Sequence, residues 1–167
     1  MSESANRYNR ISKFLSDSIR DEDILNSLES FISVYKQERL SKENPRIPIS
    51  IFSTKNMGVM EVLVKCLKEN HSLQYCKIAR AIGRNDRTIW ASYKKANEKH
   101  SEKFILSDEK ITIPTSIFYE RKTGPLEILT IYLKDSYHLS FKEISKLLKR
   151  DYQTIWLSYQ NGTKKMR

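Results

Sequence analysis

The chain has 167 residues, a formal net charge of +10 and 39% hydrophobic residues, a balance that excludes wholesale disorder and allows one domain or two small ones. With 4 Gly and 4 Pro it lacks the turn residues of an all-β sandwich, and its two cysteines, Cys66 and Cys76, cannot make a disulfide framework. No apolar run approaches the ~20 residues of a membrane span, and the opening MSESANRYNR has no apolar stretch suited to a secretory signal; a mainly α protein of the cytoplasm, nucleoid-associated in a prokaryote, is expected.

Residues 1–39 read as an N-terminal helical segment. Ile24, Leu25, Leu28, Phe31, Ile32 and Tyr35 follow a helical stripe behind the acids Asp21, Glu22 and Asp23, which suit a helix N-terminus. A shorter helix with Ile11, Phe14, Leu15 and Ile19 precedes it. This segment either packs on the rest of the chain or serves homo-oligomerisation or docking to a transcription protein.

From residue 40 the chain repeats itself at an offset of 66. Without a gap, 40–99 aligns with 106–165, and 22 of the 60 pairs are identical, far above chance, so the repeat is taken as real. The organisation expected is unit A (40–99), a linker (100–105) and unit B (106–167). Segment charges are −1 for 1–39, +7 for unit A, 0 for the linker and +4 for unit B, so the positive charge belongs to the repeats.

Each unit opens with an IPxSIF stretch, 47–52 and 113–118, whose Pro and β-branched residues suit an extended arm or short strand. Three helices follow. In unit B, Pro125 takes the first helical position, and Ile128, Leu129, Tyr132 and Leu133 form an apolar stripe; in unit A the stripe is Val62, Leu63, Cys66 and Leu67. Ser140 and Glu143 make a capping box for the second helix of unit B. Asn85 and Asp151 are N-caps for the third helices, whose inner faces carry Ile89 with Tyr93, and Ile155 with Tyr159.

Two short helices separated by a three- to four-residue turn constitute a helix-turn-helix. Close packing then demands a small residue in the second helix, Gly or a polar residue in the turn, and an aliphatic residue opening the inner face of the third. Ala79, Gly83 and Ile89 meet this in unit A; Ser145, Lys149 and Ile155 meet it in unit B. The segments KIARAIGRNDRTIWASY and EISKLLKRDYQTIWLSY resemble the helix-turn-helix of the fourth region of bacterial sigma factors and related trihelical DNA-binding domains. The resemblance covers about half the chain, 57–97 and 123–163, and departs from the family at Lys149 and at the Trp of both third helices. The fold expected is therefore mainly α: two tandem trihelical units, each behind its arm, plus the N-terminal segment.

The resemblance implies double-stranded DNA as partner, with the third helix in the major groove. The base-reading candidates are Asn85, Arg87, Trp90 and Ala91 in unit A and Tyr152, Gln153, Trp156 and Leu157 in unit B. Arg suits guanine, Asn and Gln suit adenine, and Leu suits a thymine methyl. Phosphate candidates are Arg80, Arg84, Lys94, Lys95, Lys146, Lys149, Arg150, Lys164 and Lys165. The broad apolar stripe of each third helix also permits Trp90 and Trp156 to pack inward, and Asn85 serves adenine only if capping does not consume it.

Cys66 reads as a small core residue, and His71, His100 and His138 lack ligand spacing. No metal, cofactor or catalytic constellation is expected, and the chain reads as a binding protein, not an enzyme. Transcription regulation is the leading reading. The alternatives are an adaptor docking on RNA polymerase or another transcription protein, and the DNA-targeting subunit of a transposase or recombinase.

Overall fold

A computed structural model describes residues 24, 26–33, 44–54 and 56–167. The chain divides into two units, Met1–Ser41 and Lys42–Arg167. In the first, residues 24 and 26–33 are helical, with Ile24, Leu28, Phe31 and Ile32 exposed. The shorter helix expected at 11–19, the acids at 21–23, Leu25 and Tyr35 lie outside the described residues.

The second unit is mainly helical. Strand β1 (Arg46–Pro48) and a 3-10 turn over Ile49–Ser53 lead into α1 (Val59–Glu69), α2 (Tyr75–Ala81) and α3 (Asp86–Lys99). The second repeat gives β2 (Thr112–Pro114), a 3-10 turn over Thr115–Tyr119, then α4 (Pro125–Ser136), α5 (Phe141–Leu148) and α6 (Tyr152–Met166). The arm expected over IPxSIF is thus extended only at its start, and Ser-Ile-Phe curls into the 3-10 turn. No described helix is long and apolar enough to cross a membrane, and no group of three described His, Cys, Asp or Glu residues is placed to hold a metal.

Local chemistry sets the helix starts. Asn85 Oδ1 accepts from the Thr88 N–H at 2.8 Å, and Asp151 Oδ2 accepts from Gln153 and Thr154. Ser140 and Glu143 form the reciprocal box, with the Ser140 N–H donating to the carboxylate at 2.8 Å. Gly58 and Gly124 donate their N–H groups to Glu61 and Glu127, three residues on, at 2.9 and 2.7 Å. Each arrangement satisfies backbone donors that the first helical turn leaves orphaned.

Where the sequence reads two successive domains and a linker, residues 42–167 form one compact unit, because the arms cross. β1 pairs antiparallel with β2, and Ile47 faces Ile113, its own equivalent in the repeat. An approximate twofold therefore passes through that pair. The Ile49 N–H donates to Ile111 O and, symmetrically, the Thr115 N–H donates to Pro45 O, both at 3.1 Å. Phe52 and Phe118 meet at 6.2 Å between ring centroids. The first 3-10 turn packs on α5 of the other repeat and the second on α2. One apolar cluster results, running from Leu63, Ile78 and Ile89 through Ile47 and Ile113 to Leu129, Ile144 and Ile155. The connecting segment is packed too: Phe104 is buried, stacks on His100 at 5.2 Å, and its C=O accepts from Asn70 Nδ2 at 2.7 Å.

Lys65 is fully buried on α1. Its Nζ lies 2.7 Å from Glu69 Oε1 and 3.2 Å from Asn97 Oδ1. The equivalent in the second repeat is Ile131, which lies against Gly162; a Cβ there would come within 2.6 Å of Ile131 Cδ1. The same place in the bundle is filled once by an ion pair and once by an aliphatic side chain over a glycine.

Candidate nucleic-acid interface

The third helix of each repeat is held from behind, and that decides which side chains face outward. On α3, Ile89 and Ala96 are buried and Tyr93 is half-buried against Tyr75 at 5.8 Å between rings. The Tyr93 hydroxyl donates to Glu69 Oε1 at 2.9 Å. Burial raises the Tyr93 pKa, and the Glu69 hydrogen bond and charge raise it further, so the phenol stays a donor. The opposite side presents Arg87, Trp90, Lys94 and Lys95 to solvent, with Ala91 half-buried. Lys94 Nζ lies 5.7 Å from the Trp90 ring centroid, within cation–π range.

Beside this face runs an open groove of about 510 Å³, walled by Gly58, Met60 and Glu61 of the α1 start and by Arg87, Ala91 and Lys95 of α3. Burial pushes the Glu61 carboxyl up, but hydrogen bonds from Lys99 and the Gly58 N–H, with the charges of Lys99 and Lys95, outweigh it and hold the pKa below the ordinary value. The groove wall therefore carries a fixed carboxylate clamped by Lys99 at 2.8 Å.

On α6, Ile155 and Gly162 are buried, and Tyr159 packs on Phe141 at 5.3 Å. The outward face is Tyr152, Gln153, Trp156 and Leu157, all exposed, with Tyr152 edge-on to Phe141. Both tryptophans, for which inward packing competes in the sequence, are exposed on the outward face: Trp90 is 51% exposed and Trp156 is 42%.

Four sequence candidates already have partners inside the fold. Asn85 is consumed as a cap, since its Oδ1 accepts from both the N–H and the hydroxyl of Thr88, at 2.8 and 2.7 Å; the acceptor that adenine needs is occupied. Arg150 is turned inward, its guanidinium donating to Met57 O of the other repeat at 2.9 Å. Arg84 donates to Gly83 O and, across the junction, to Glu120 O, both at 3.3 Å. Lys165 is paired with Glu127 at 2.7 Å, the counterpart of Lys99 with Glu61. Arg80, Arg87, Lys95, Lys146, Lys149 and Lys164 are exposed and make no ion pair among the described residues.

One cation escapes the pattern reading. Arg121, in the loop after the second 3-10 turn, donates its Nε–H to Gly83 O in the turn before α3. Its repeat equivalent in the sequence is Lys55; a cation at both positions is the signal that could have marked it. No protein-family model, curated protein or solved structure matches the chain.

Proposed function

We propose that the chain binds double-stranded DNA sequence-specifically as a transcription regulator, with α2–α3 and α5–α6 as two helix-turn-helix units and the crossed arms making them an intramolecular pseudo-dimer. The observation that carries this reading is the exposed face of α3, where Arg87, Lys94 and Lys95 make no ion pair among the described residues and stand beside a groove. A cationic rod held from behind by Ile89 has the shape and charge that a major groove accepts. Arg87, at the second position of the helix, is the base reader; Lys94 and Lys95, further along, meet phosphates. The four-residue turn Ile82–Asn85 and the buried small residue Ala79 let α2 cross close to α3.

A second reading rests on α6. Its outward Tyr152, Trp156 and Leu157 are apolar and exposed, a surface composition suited to a protein partner. In that reading the second repeat docks on the transcription machinery while the first holds DNA.

The test is a mobility shift of the full chain against random duplex and a selected oligonucleotide pool across a salt series. A steep log–log salt slope with an enriched motif is expected, and no shift at about 50 mM salt overturns the DNA reading. Arg87→Ala should relax discrimination at one base position by about 1–3 kcal/mol, and Lys94→Ala should weaken all sequences alike. Equal losses on specific and random duplex for both variants overturn that division of roles.

A further inference from the structure

The crossing of the arms builds a feature that neither repeat has alone. The second 3-10 turn lies against the turn that precedes α3, so closely that a Cβ on Gly83 would sit 2.9 Å from Tyr119 O. Between them opens a pocket of about 450 Å³, whose walls include Arg80, Gly83, Arg84, Tyr119 and Arg121, together with Cys76 and Asp86. Three guanidinium groups against one carboxylate leave the lining at +2.

Two of those guanidiniums are already oriented. Arg84 is held by Gly83 O and Glu120 O, and Arg121 by Gly83 O. Each guanidinium has five N–H donors, so these carbonyls fix the planes and leave donors over. The Arg80 side chain, in the last turn of α2, makes no hydrogen bond or ion pair among the described residues. Pre-oriented guanidinium donors match the tetrahedral oxygens of a phosphate, with little ordering left to do on binding. The start of α3 opens onto the same pocket through Asp86, its first residue, and adds the partial positive charge of a 14-residue helix.

We propose that this pocket is a phosphate site composed from both repeats, taking a backbone phosphodiester of the bound duplex next to the base that Arg87 reads. The assignment rests on the DNA reading above and adds to it: the first reader depends on a cation, Arg121, supplied by the second repeat. The equivalent place in the second repeat differs, with Tyr152 where Asp86 stands, Lys149 where Gly83 stands, and Arg150 turned to Met57 O.

Cys76 gives the site its own reporter. It lines the pocket and is half-buried, whereas Cys66 is fully buried and its thiol is pushed up to about 12 by burial first and the Glu69 charge second. Alkylation of the full chain by iodoacetamide therefore reads Cys76. Saturating duplex is expected to abolish that reactivity. Arg80→Gln and Arg121→Gln should each lower the salt slope by about 0.9 and weaken specific and random duplex alike. Arg80→Gln removes no internal contact, so its result does not depend on the fold tolerating Arg121→Gln.

An unchanged slope in Arg80→Gln and in folded Arg121→Gln, or full Cys76 reactivity in a complex that the mobility shift shows to be saturated, overturns the pocket and leaves the DNA reading intact. Pyrophosphate is the second probe. If no duplex binds but pyrophosphate protects Cys76 in the parent and not in Arg80→Gln, the pocket stands as a site for free phosphate and the DNA reading falls. If neither probe protects and no duplex binds, both fall.

Discussion

The outward faces of α3 and α6 occupy equivalent positions and carry opposite chemistry. Where α3 has Arg87, Lys94 and Lys95, α6 has Gln153, Gln160 and Asn161; where α3 has Asp86 and Ala91, α6 has Tyr152 and Leu157. Behind the faces the repeats agree: Ile89 and Ile155 are both buried, Glu61–Lys99 and Glu127–Lys165 are both paired, and Arg84 and Arg150 both reach carbonyls of the other repeat. These shared cations hold the frame together, while Arg87, Lys94 and Lys95, which α6 lacks, stand on the surface. Charge in the second repeat sits instead on α5 and its turn, at Lys142, Lys146 and Lys149. The first repeat thus offers a charged face, and the second an apolar face flanked by charge.

Transplanting one face onto the other is the strongest way to break this contrast. Arg87→Gln, Lys94→Gln and Lys95→Asn together give α3 the amides of α6. The salt slope should fall by about 2–3 and affinity near physiological salt on the order of a hundredfold, measured by mobility shift. Circular dichroism should be unchanged, because none of the three side chains makes an ion pair or hydrogen bond among the described residues.

The interior contrast comes next. Lys65→Ala leaves the Glu69 carboxylate without its cation and should lower unfolding stability by about 3 kcal/mol in a denaturant titration, as expected for breaking a buried pair. At the equivalent place, Ile131→Val removes only a methyl group and should cost about 1 kcal/mol. Equal losses would mean that the ion pair contributes no more than packing.

A smaller effect separates the turns. Gly83 and Lys149 both lie in the left-handed region, at φ 61° and 47°. Gly83→Ala combines an unfavourable φ with a 2.9 Å approach to Tyr119 O and should cost about 2 kcal/mol. Lys149→Gly relieves the same conformation and should gain up to about 1 kcal/mol by thermal unfolding.

The smallest effect is the response to acid. Burial lowers the His71 pKa. The unfolded chain therefore takes up that proton more readily, and stability should begin to fall as pH drops below about 6.5. Glu61 and Glu127 both resist protonation in the fold: burial opposes this, but the hydrogen bonds from Lys99 and Lys165 prevail. Their contribution is fully present above the ordinary carboxylate range and is lost as pH falls through the lowered folded values. His71→Ala should remove the first part of the decline and leave the second.

Much of this molecule is readable without coordinates wherever the governing interaction is local. Asn85, Ser140 and Asp151 cap helices because each reaches an N–H two or three residues away, and Ile89 and Ile155 are core because their stripes repeat at the helical period. Arg87 and Gln153 fall on outward faces by the same periodicity. Spacing does not reveal that Arg150 spans 93 residues to Met57 O, or that Lys165 reaches 38 residues back to Glu127. Both look like free cations in the one-dimensional pattern.

The sequence alone therefore determined the duplication, the helices, their caps and the two third helices with their inner and outer sides, since these follow from near-neighbour hydrogen bonds and periodic burial. Only the tertiary structure decided that the arms cross so that Ile47 meets Ile113, that Lys65 lies buried beside Glu69, and that Arg84 and Arg150 reach carbonyls of the other repeat. Those outcomes depend on partners distant in the chain, and a residue's charge is available for recognition only after the fold has used what it needs.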